Sequence, residues 1–418
     1  MPIDILALTA LVIVIIISAI RTDLNTGLLS IAFAYVIGVY FAGLGVGEVS
    51  NYLPEQLVLT LVGVTLLFEM AHENGTLDKL AGLAMRSVRG HPTFLPIVFF
   101  LFTFIFSAIG PGNIAAVALI APIGMVVAIN SGVNPLVMAI MICTGANAGA
   151  FSPVALTGII NTGLMSEIGI NDPNITLQIF LLVAGLQSIS ALLAYFLFGG
   201  YRIAQTDTTN QTFAQPSIEK FNKQQIITLI SIFALIISVI VFKVSVTVGT
   251  FVIAGLLGLF KIGNAEKGLQ HLPWGIISLV AGISVLVGLL ETTGGLDLAT
   301  NLLAAYSSTN TINGLLAFVT GLISIYSSSS GVVMPTFIPL LPSLIQTLGG
   351  GDLIKMIVAV NVGSHLVDVS PLSTLGALCL AALPENYNKS IMFRRLLLWG
   401  LSMSVLGGIL AFIFLDLL

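Results

Sequence analysis

Along this chain, apolar runs alternate with short polar interludes, and most runs reach the length of about 20 residues that crosses a bilayer core. Spanning segments are predicted at 4–20, 26–46, 56–72, 134–165, 176–201, 225–243, 245–262, 274–291, 353–383 and 389–417. Two further apolar pairs, 93–109 with 114–130 and 311–327 with 331–348, are split by Gly110-Pro111-Gly112-Asn113 and by Ser327-Ser328-Ser329-Ser330-Gly331. These read as helical hairpins, 93–130 and 311–348, that enter and leave by the same side. Their tips free backbone groups that need protein or water around them at membrane depth. The one long polar stretch, 202–224, reads as a cytoplasmic linker between halves.

The two halves match at a shift of about 218 residues. Gly75-Thr76-Leu77-Asp78 corresponds to Gly294-Gly295-Leu296-Asp297, and Leu53-Pro54 to Leu272-Pro273. Gly145, Ser152, Pro153 and Gly158 correspond in spacing to Gly363, Ser370, Pro371 and Gly376. Pro122 follows Gly112 by ten residues, as Pro339 follows Ser329. Several matches in register and in order imply duplication. The expected fold class is therefore an all-α polytopic membrane protein of two inverted repeats. Each repeat has five spanning helices, a re-entrant helical hairpin and a broken helix. The first repeat is 1–201 with its broken helix at 134–165; the second is 225–418 with its broken helix at 353–383.

Composition agrees with a membrane chain: 57% of the 418 residues are hydrophobic, 8% are charged, and the mean hydropathy is +1.09. The few positive charges set the orientation. Arg21, Lys79, Arg86, Arg89, Arg202, Lys220, Lys223, Lys261, Lys267, Lys389, Arg394 and Arg395 fall on one side, against Lys243 and Lys355 on the other. The positive-inside rule makes the first side cytoplasmic and puts both termini outside. The expected location is a prokaryotic inner membrane. With no Lys or Arg before the first apolar run, the N-terminus lacks the basic region of a signal peptide, so that segment is expected to be retained. Cys143 and Cys379 lie inside apolar runs and read as small apolar filler rather than a disulfide or metal pair.

Four breaks in apolar helices are expected to converge: the two hairpin tips and the Ser-Pro interruptions at 152–153 and 370–371. Proline removes a backbone donor and pushes the preceding residue out of the α region. Each new helix N-terminus then presents free N–H groups and a positive dipole end. Such ends, with Ser and Thr hydroxyls, can hold a carboxylate without a buried cation, while freed carbonyl groups suit Na⁺. Among ionisable residues inside spans, Glu69, Glu291 and Lys243 sit near span ends and read as interfacial. Asp368 differs: it lies two residues before the Ser370-Pro371 break, where the first half has Ala150. A charge at that depth costs on the order of 3 kcal/mol or more, so it pairs or functions. His365, three residues earlier, is its expected partner. The stretches 76–89 and 295–306 read as interfacial helices.

Asn74-Gly75-Thr76-Leu77-Asp78, Arg86 to Gly90, Ala115 to Met125, Gly145-Ala146-Asn147-Ala148-Gly149-Ala150-Phe151-Ser152-Pro153 and Asp368-Val369-Ser370-Pro371 together resemble malonate-type (MatC-like) dicarboxylate carriers. These belong to the ion transporter superfamily, alongside divalent anion–sodium symporters. The resemblance covers nearly the whole chain, most specifically 60–160. It implies a homodimer whose subunits each have a scaffold part and a mobile part that carries the site across in an elevator motion. In the symporter relatives each hairpin tip carries Ser-Asn-Thr, where substrate and Na⁺ gather. The corresponding positions here are Gly112-Asn113-Ile114 and Ser329-Ser330-Gly331, of which Asn113 and Ser329 keep the relatives' residue.

The sequence therefore reads as a carrier of small carboxylate anions, C3–C4 dicarboxylates such as malonate or succinate, driven by Na⁺ or H⁺. Expected substrate contacts are Gly112, Asn113, Ser152, Pro153, Ser329, Ser330, Ser370, Pro371 and Thr374. Expected ion-coupling residues are Asn113, Asn147, Ser330, His365 and Asp368, with a Na⁺ at Asn113, Ser330 and Asp368. The expected partners are the carboxylate, the lipid bilayer and a second subunit, with no nucleic acid and no cofactor beyond the coupling ion. One alternative is the large membrane subunit of a binding-protein-dependent carrier; a metalloid exporter is a weaker one. An intramembrane enzyme is disfavoured: the spans hold one buried Asp without an acidic partner, no His-Glu-x-x-His, and Ser364 and His365 adjoin but face apart on a helix.

Overall fold

The computed structural model describes residues 2–21, 24–77, 79, 92–200, 220–240, 242, 244–384 and 387–416. Most of the expected interfacial helix 76–89, most of the linker 202–224, and Lys243 lie outside these residues. Among the described residues every regular element is helical.

The chain opens with α1 (Ile3–Ile20) and α2 (Thr26–Tyr40), then a short α3 (Val46–Ser50) and α4 (Glu55–Glu73). A helical hairpin follows, α5 (Leu95–Ile109) and α6 (Gly112–Asn130). A long apolar stretch then breaks into α7 (Pro135–Ala150) and α8 (Leu156–Glu167), and α9 (Pro173–Leu197) completes this half. The same order of elements returns after the linker: α10 (Lys223–Ile240), α11 (Val246–Leu259), the short α12 (Ala265–Gln270) and α13 (Trp274–Thr293). Next come α14 (Gly295–Ala305) along the expected amphipathic stretch, α15 (Ile312–Ser324) as the outgoing hairpin arm, and a return arm over Ser329–Leu348. A second broken helix, α16 (Leu353–Leu366) and α17 (Thr374–Ala381), precedes the last helix, α18 (Lys389–Ala411).

Among the described residues, seven helices are long and apolar enough to cross a membrane: α4, α6, α9, α13, the return arm Ser329–Leu348, the broken stretch Leu353–Ala381, and α18 with its final turn to Leu415. Shorter apolar helices such as α1, α2, α5 and α7 accompany them. Many exposed side chains are large and apolar, Leu59, Leu181, Ile230 and Leu398 among them, as a lipid-facing surface requires.

Local chemistry explains the boundaries. Asn25, Asn134 and Asp172 each cap a helix by accepting from a backbone N–H two residues on, at 2.9–3.0 Å. The first hairpin turns on Gly110 and Gly112, with φ of 145° and 82°, a region that disfavours residues with a Cβ. At Gly110 a Cβ would also stand 1.8 Å from the Phe68 ring. Pro122 is absorbed inside an unbroken α6. The second return arm behaves differently, passing through a π turn, a short α segment and a 3₁₀ turn before its last helical stretch. Pro335, Pro339 and Pro342 interrupt its hydrogen-bond ladder, so no single register persists.

Close backbone contacts hold the pieces together. A Cβ on Gly145 of α7 would stand 2.4 Å from the Phe100 carbonyl of α5, and one on Gly363 of α16 would stand 2.2 Å from the Ala317 carbonyl of α15. Each hairpin arm thus lies on its broken helix at a distance that only glycine allows. Across the halves, α2 packs on α13 and α4 on α11. Gly27 and Gly282 make the first crossing and Gly63 makes the second, against Thr250. The broken helices cross over as well: α17 packs on α6, and α8 on the 3₁₀ turn of the opposite hairpin.

Gly363→Val should therefore lower the melting temperature of the detergent-solubilised protein, by an overpacking cost of roughly 1–3 kcal/mol or more. Gly185→Ala, where an added methyl meets nothing within 4 Å, should melt with the unsubstituted protein. Fluorescence-detected size exclusion after heating measures both.

Candidate functional site

Both helix breaks expose backbone at depth. In the second, α16 gives way to a 3₁₀ turn over Val367–Val369. Ser370 then leaves the helical region at φ −57°, ψ 139°, the extended conformation favoured before proline. The chain re-enters a helix at α17, whose N-cap residue is Ser373. Its hydroxyl makes no bond within the cap; it donates instead to Asp368 Oδ1 at 3.1 Å. The first break runs from Ala150 to Ala155 and starts α8, whose N-cap Ala155 has no side chain to cap it.

Asp368 is buried, and three donors from three segments surround it. Ser329, at the second hairpin tip, donates to Oδ1 at 2.7 Å, and Ser373 joins it there. Asn147, on α7 of the other half, donates from Nδ2 to Oδ2 at 3.1 Å and to the His365 carbonyl at 2.7 Å. The Asn147 carbonyl in turn accepts from Asn113 Nδ2 at 2.7 Å. Ser324 shares a hydrogen bond with Ser329 at 2.7 Å. One continuous chain of polar contacts therefore joins both hairpin tips and both broken helices around a single carboxylate.

A cavity of about 440 Å³ adjoins this network. Asn113 and Ile114 border it from the first tip, Ser327 to Ser330 from the second, and Asp368, Ser373 and Thr374 from the second break. Its other wall is Ser18, Arg21, Asn25 and Thr26 at the α1–α2 turn, with Gly275 and Leu279 at the start of α13. Three helix N-termini thus meet at the cavity: α6, the Ser329 return arm and α17. Their dipole ends give it a positive backbone potential, with the Ile114 and Gly331 N–H groups already bonded to Asn113 Oδ1 and Ser328 Oγ, and the lining adds hydroxyls. Such a lining can hold a carboxylate, while Asp368, Asn113 and the serine oxygens form a hard donor set of the kind that binds alkali cations.

Of the expected site residues, Asn113, Ser329, Ser330, Asp368 and Thr374 border this cavity, and Asn147 stands behind it. The others stand elsewhere. Gly112 is buried under Leu156, and Ser370 lies against Gly400 with its hydroxyl accepting from the Leu372 N–H at 3.3 Å. Pro371 does not reach the cavity wall. Pro153 borders a different cavity of about 520 Å³, together with Pro54, Thr60, Glu167 and Thr247, and Ser152 is buried beside it in the chain. The first broken helix therefore contributes Asn147 of α7 to the network, and its break at Ser152-Pro153 does not reach the cavity.

The expected pairing of His365 with Asp368 is not formed. His365 Nδ1 lies 2.9 Å from both the Asn361 carbonyl and Ser364 Oγ, and the ring stands edge-on to Phe151 at 4.8 Å between centroids. Helical geometry at 365 turns the ring towards the preceding turn, whereas Asp368 sits in the 3₁₀ turn and points to the hairpin tip. Ser373 and Arg21 are among the contributors not expected as site residues from the sequence. An N-cap serine right after a Ser-Pro break was a usable signal for the first; nothing local marks the second.

Two further contacts join the halves beside the site. The thiols of Cys143 and Cys379, read as apolar filler, are buried with their sulfurs 3.6 Å apart. Asn361 Nδ2 donates to Asn161 Oδ1 at 2.8 Å.

Residues 1–150 match the family described as dicarboxylate carrier protein MatC, N-terminus. Among solved structures, the chain is similar to the YdaH transporter of Alcanivorax borkumensis, with a TM-score of 0.59 and 16% identity over 89% of this chain and 87% of that one. It is also similar to MtrF of Neisseria gonorrhoeae, described with a class of antimetabolite efflux pumps, with a TM-score of 0.57 and 14% identity over 99% and 94% of the two chains. At these identities the likeness is one of fold. No curated protein matches by sequence. Apolar helices and the family match together make the chain a multi-pass membrane protein.

Removing Asn147 strands both the Asp368 Oδ2 lone pairs and the Asn113 amide. Asn147→Ala should cost about 1–3 kcal/mol. Thermal melting of Asn147→Ala, Asn113→Ala and the double variant checks the network: the two losses should fall short of adding, with a coupling of roughly 0.5 kcal/mol or more.

Proposed function

With its first 150 residues matching the dicarboxylate carrier family and its fold shared with two transporters, we propose that this protein is a secondary carrier of small carboxylates. The single observation behind this reading is the meeting of three helix N-termini and a hydroxyl-rich cavity around the buried Asp368. A carboxylate of C3–C4 size is the substrate, held by the N–H groups of α6, the return arm and α17, with Asn113, Ser329, Ser330, Ser373 and Thr374 as side-chain contacts.

Asp368 couples the cycle. An ionised carboxylate beside an anionic substrate is repulsive, about 4 kcal/mol for unit charges 4 Å apart at an effective dielectric of 20. Substrate binding therefore favours a state in which a Na⁺ or a proton has neutralised Asp368. Asn113 and Ser330 supply further oxygens for Na⁺, and Asn147 holds the carboxylate in place. The breaks at Ser152-Pro153 and Ser370-Pro371 create the unwound segments without touching substrate.

The halves act as inverted repeats, 1–201 and 225–418, joined through a cytoplasmic linker at 202–224. The recurring order of elements, the paired glycine contacts at Gly145 and Gly363, and the reciprocal α2–α13 and α4–α11 packing support this reading. Hairpins 93–130 and 311–348 with the broken helices form the mobile part, which moves against a dimeric scaffold in an elevator motion. The charge bias supports a prokaryotic inner-membrane location with both termini outside, so the cavity beside Arg21 opens inward. Nothing in this chemistry calls for catalysis, and uptake under an ion gradient is the expected activity.

Proteoliposomes loaded without substrate and given separate Na⁺ and proton gradients test this with labelled malonate and succinate. Asp368→Asn should abolish gradient-driven uptake while the protein still elutes as a folded species. Uptake by that variant with unchanged Na⁺ and pH dependence would remove Asp368 from coupling. Asn113→Ala should raise the half-saturation concentration about tenfold, the loss of one charge-assisted hydrogen bond of about 1.4 kcal/mol.

A further inference from the structure

From Ile391 onward, the exposed residues of α18 recur at spacings of three and four, so they form one stripe along the helix. Leu398, Val405 and Ile409 carry the stripe, 67%, 51% and 47% exposed, while Leu396 and Met403 on the opposite face are fully buried. In its first turns the same stripe becomes basic. Arg394 and Arg395 are exposed on it, and Lys389 is exposed at the start of the helix. None of the three is paired with an acid among the described residues. The first turn of α18 holds no acidic residue, so Lys389 stands at the positive end of the helix dipole, where a cation gains nothing from the helix itself. The buried face of α18 backs the candidate site. It packs on α15, on α16 and on the 3₁₀ turn that carries Asp368, and a Cβ on Gly400 would stand 2.6 Å from Ser370 Cβ.

We propose that Arg394 and Arg395, with Lys389, form a site for the headgroup of an anionic phospholipid whose acyl chains lie along the exposed stripe of α18. Charge complementarity selects this occupant: the stripe fits an apolar body, and its basic end fits a negative head. A zwitterionic headgroup carries an ammonium beside its phosphate and is held less well there. Each basic residue near a membrane surface adds to the attraction for anionic lipid. Long basic side chains reach the headgroup level while their stems stay on apolar surface. Arginine adds two parallel N–H donors that match the edge of a phosphate. The positive-inside bias is a plainer reason for basic residues at this end of α18. A charge anywhere in the flanking loop satisfies that bias, so it does not account for two adjacent arginines on the lipid-facing stripe. The inference stands apart from the carrier reading, because it concerns the outer face of a helix whose inner face bears on the site.

Native mass spectrometry of the purified full chain, titrated with phosphatidylglycerol and with phosphatidylcholine, tests this. The unsubstituted protein should retain phosphatidylglycerol the more tightly. Arg394→Gln with Arg395→Gln should weaken phosphatidylglycerol about tenfold and leave phosphatidylcholine within about twofold. Arg394→Lys with Arg395→Lys, which keeps both charges, should bind phosphatidylglycerol more tightly than the glutamine pair does. Lys223→Gln with Lys261→Gln removes the same charge from exposed positions elsewhere and should move either lipid by no more than about twofold. Equal losses for both lipids in the arginine variant, an unchanged phosphatidylglycerol affinity, or the same loss in the lysine control would overturn the proposal. So would displacement of phosphatidylglycerol by inorganic phosphate, which would assign the arginines to a soluble anion. Melting curves of the variants in detergent without lipid, expected to coincide, show that any loss is local.

Discussion

Everything near the centre of this protein depends on satisfying one buried carboxylate where the cavity meets the packed helices. Asp368 cannot be left bare, because an unpaired charge at that depth costs several kcal/mol. Its donors come from the second hairpin tip, from the residue that starts α17, and from α7 in the other half. No single segment could supply all three, since the 3₁₀ turn that carries Asp368 is flanked by apolar helix. Satisfying Asp368 therefore brings four chain segments together, and the cavity is what remains where they meet.

Glycine makes that meeting geometrically feasible. Gly145 and Gly363 let each hairpin arm touch its broken helix at backbone distance, and Gly27 and Gly282 do the same where α2 crosses α13. Between apolar helices in lipid there is little hydrophobic drive to associate, so close van der Waals contact and buried polar bonds decide the packing. The small residues bring the helices close enough for Asn147 to reach two acceptors in the opposite half.

Positions about 218 residues apart occupy comparable places yet have diverged in chemistry. Asn147 stands where the other half has His365, and Ala150 where it has Asp368. The pair Cys143 and Cys379 and the pair Asn161 and Asn361 are likewise exchanged: sulfurs meet on one side, amides on the other. All of the acid at the site and most of its hydroxyls come from the second half, while the first supplies amides. This asymmetry puts the carboxylate of the site in the second half even though both halves frame the cavity.

Much of this was legible in the sequence. Hydrophobic run length and Gly/Pro/Ser interruptions located the long helices within a few residues and left the short α3 and α12 unmarked, because in lipid a helix has to satisfy its own backbone and so declares itself by composition. The same rules singled out Asn113, Ser329, Asp368 and Thr374, which sit at interruptions where the backbone is free. Tertiary packing alone decided the rest. Which way His365 turned, that Ser152 and Pro153 lie off the cavity, and that Cys143 meets Cys379 all follow from helix phase and crossing geometry, and one-dimensional spacing does not carry these. Arg21 shows the limit most clearly: at the end of α1 it reads as an orientation signal, and only the approach of α1 to the second hairpin tip puts it on the cavity wall. The sequence by itself determined where the helices break, because a break is a local fact of backbone chemistry. Which breaks face one another was left to the tertiary structure, because that depends on contacts between residues hundreds of positions apart.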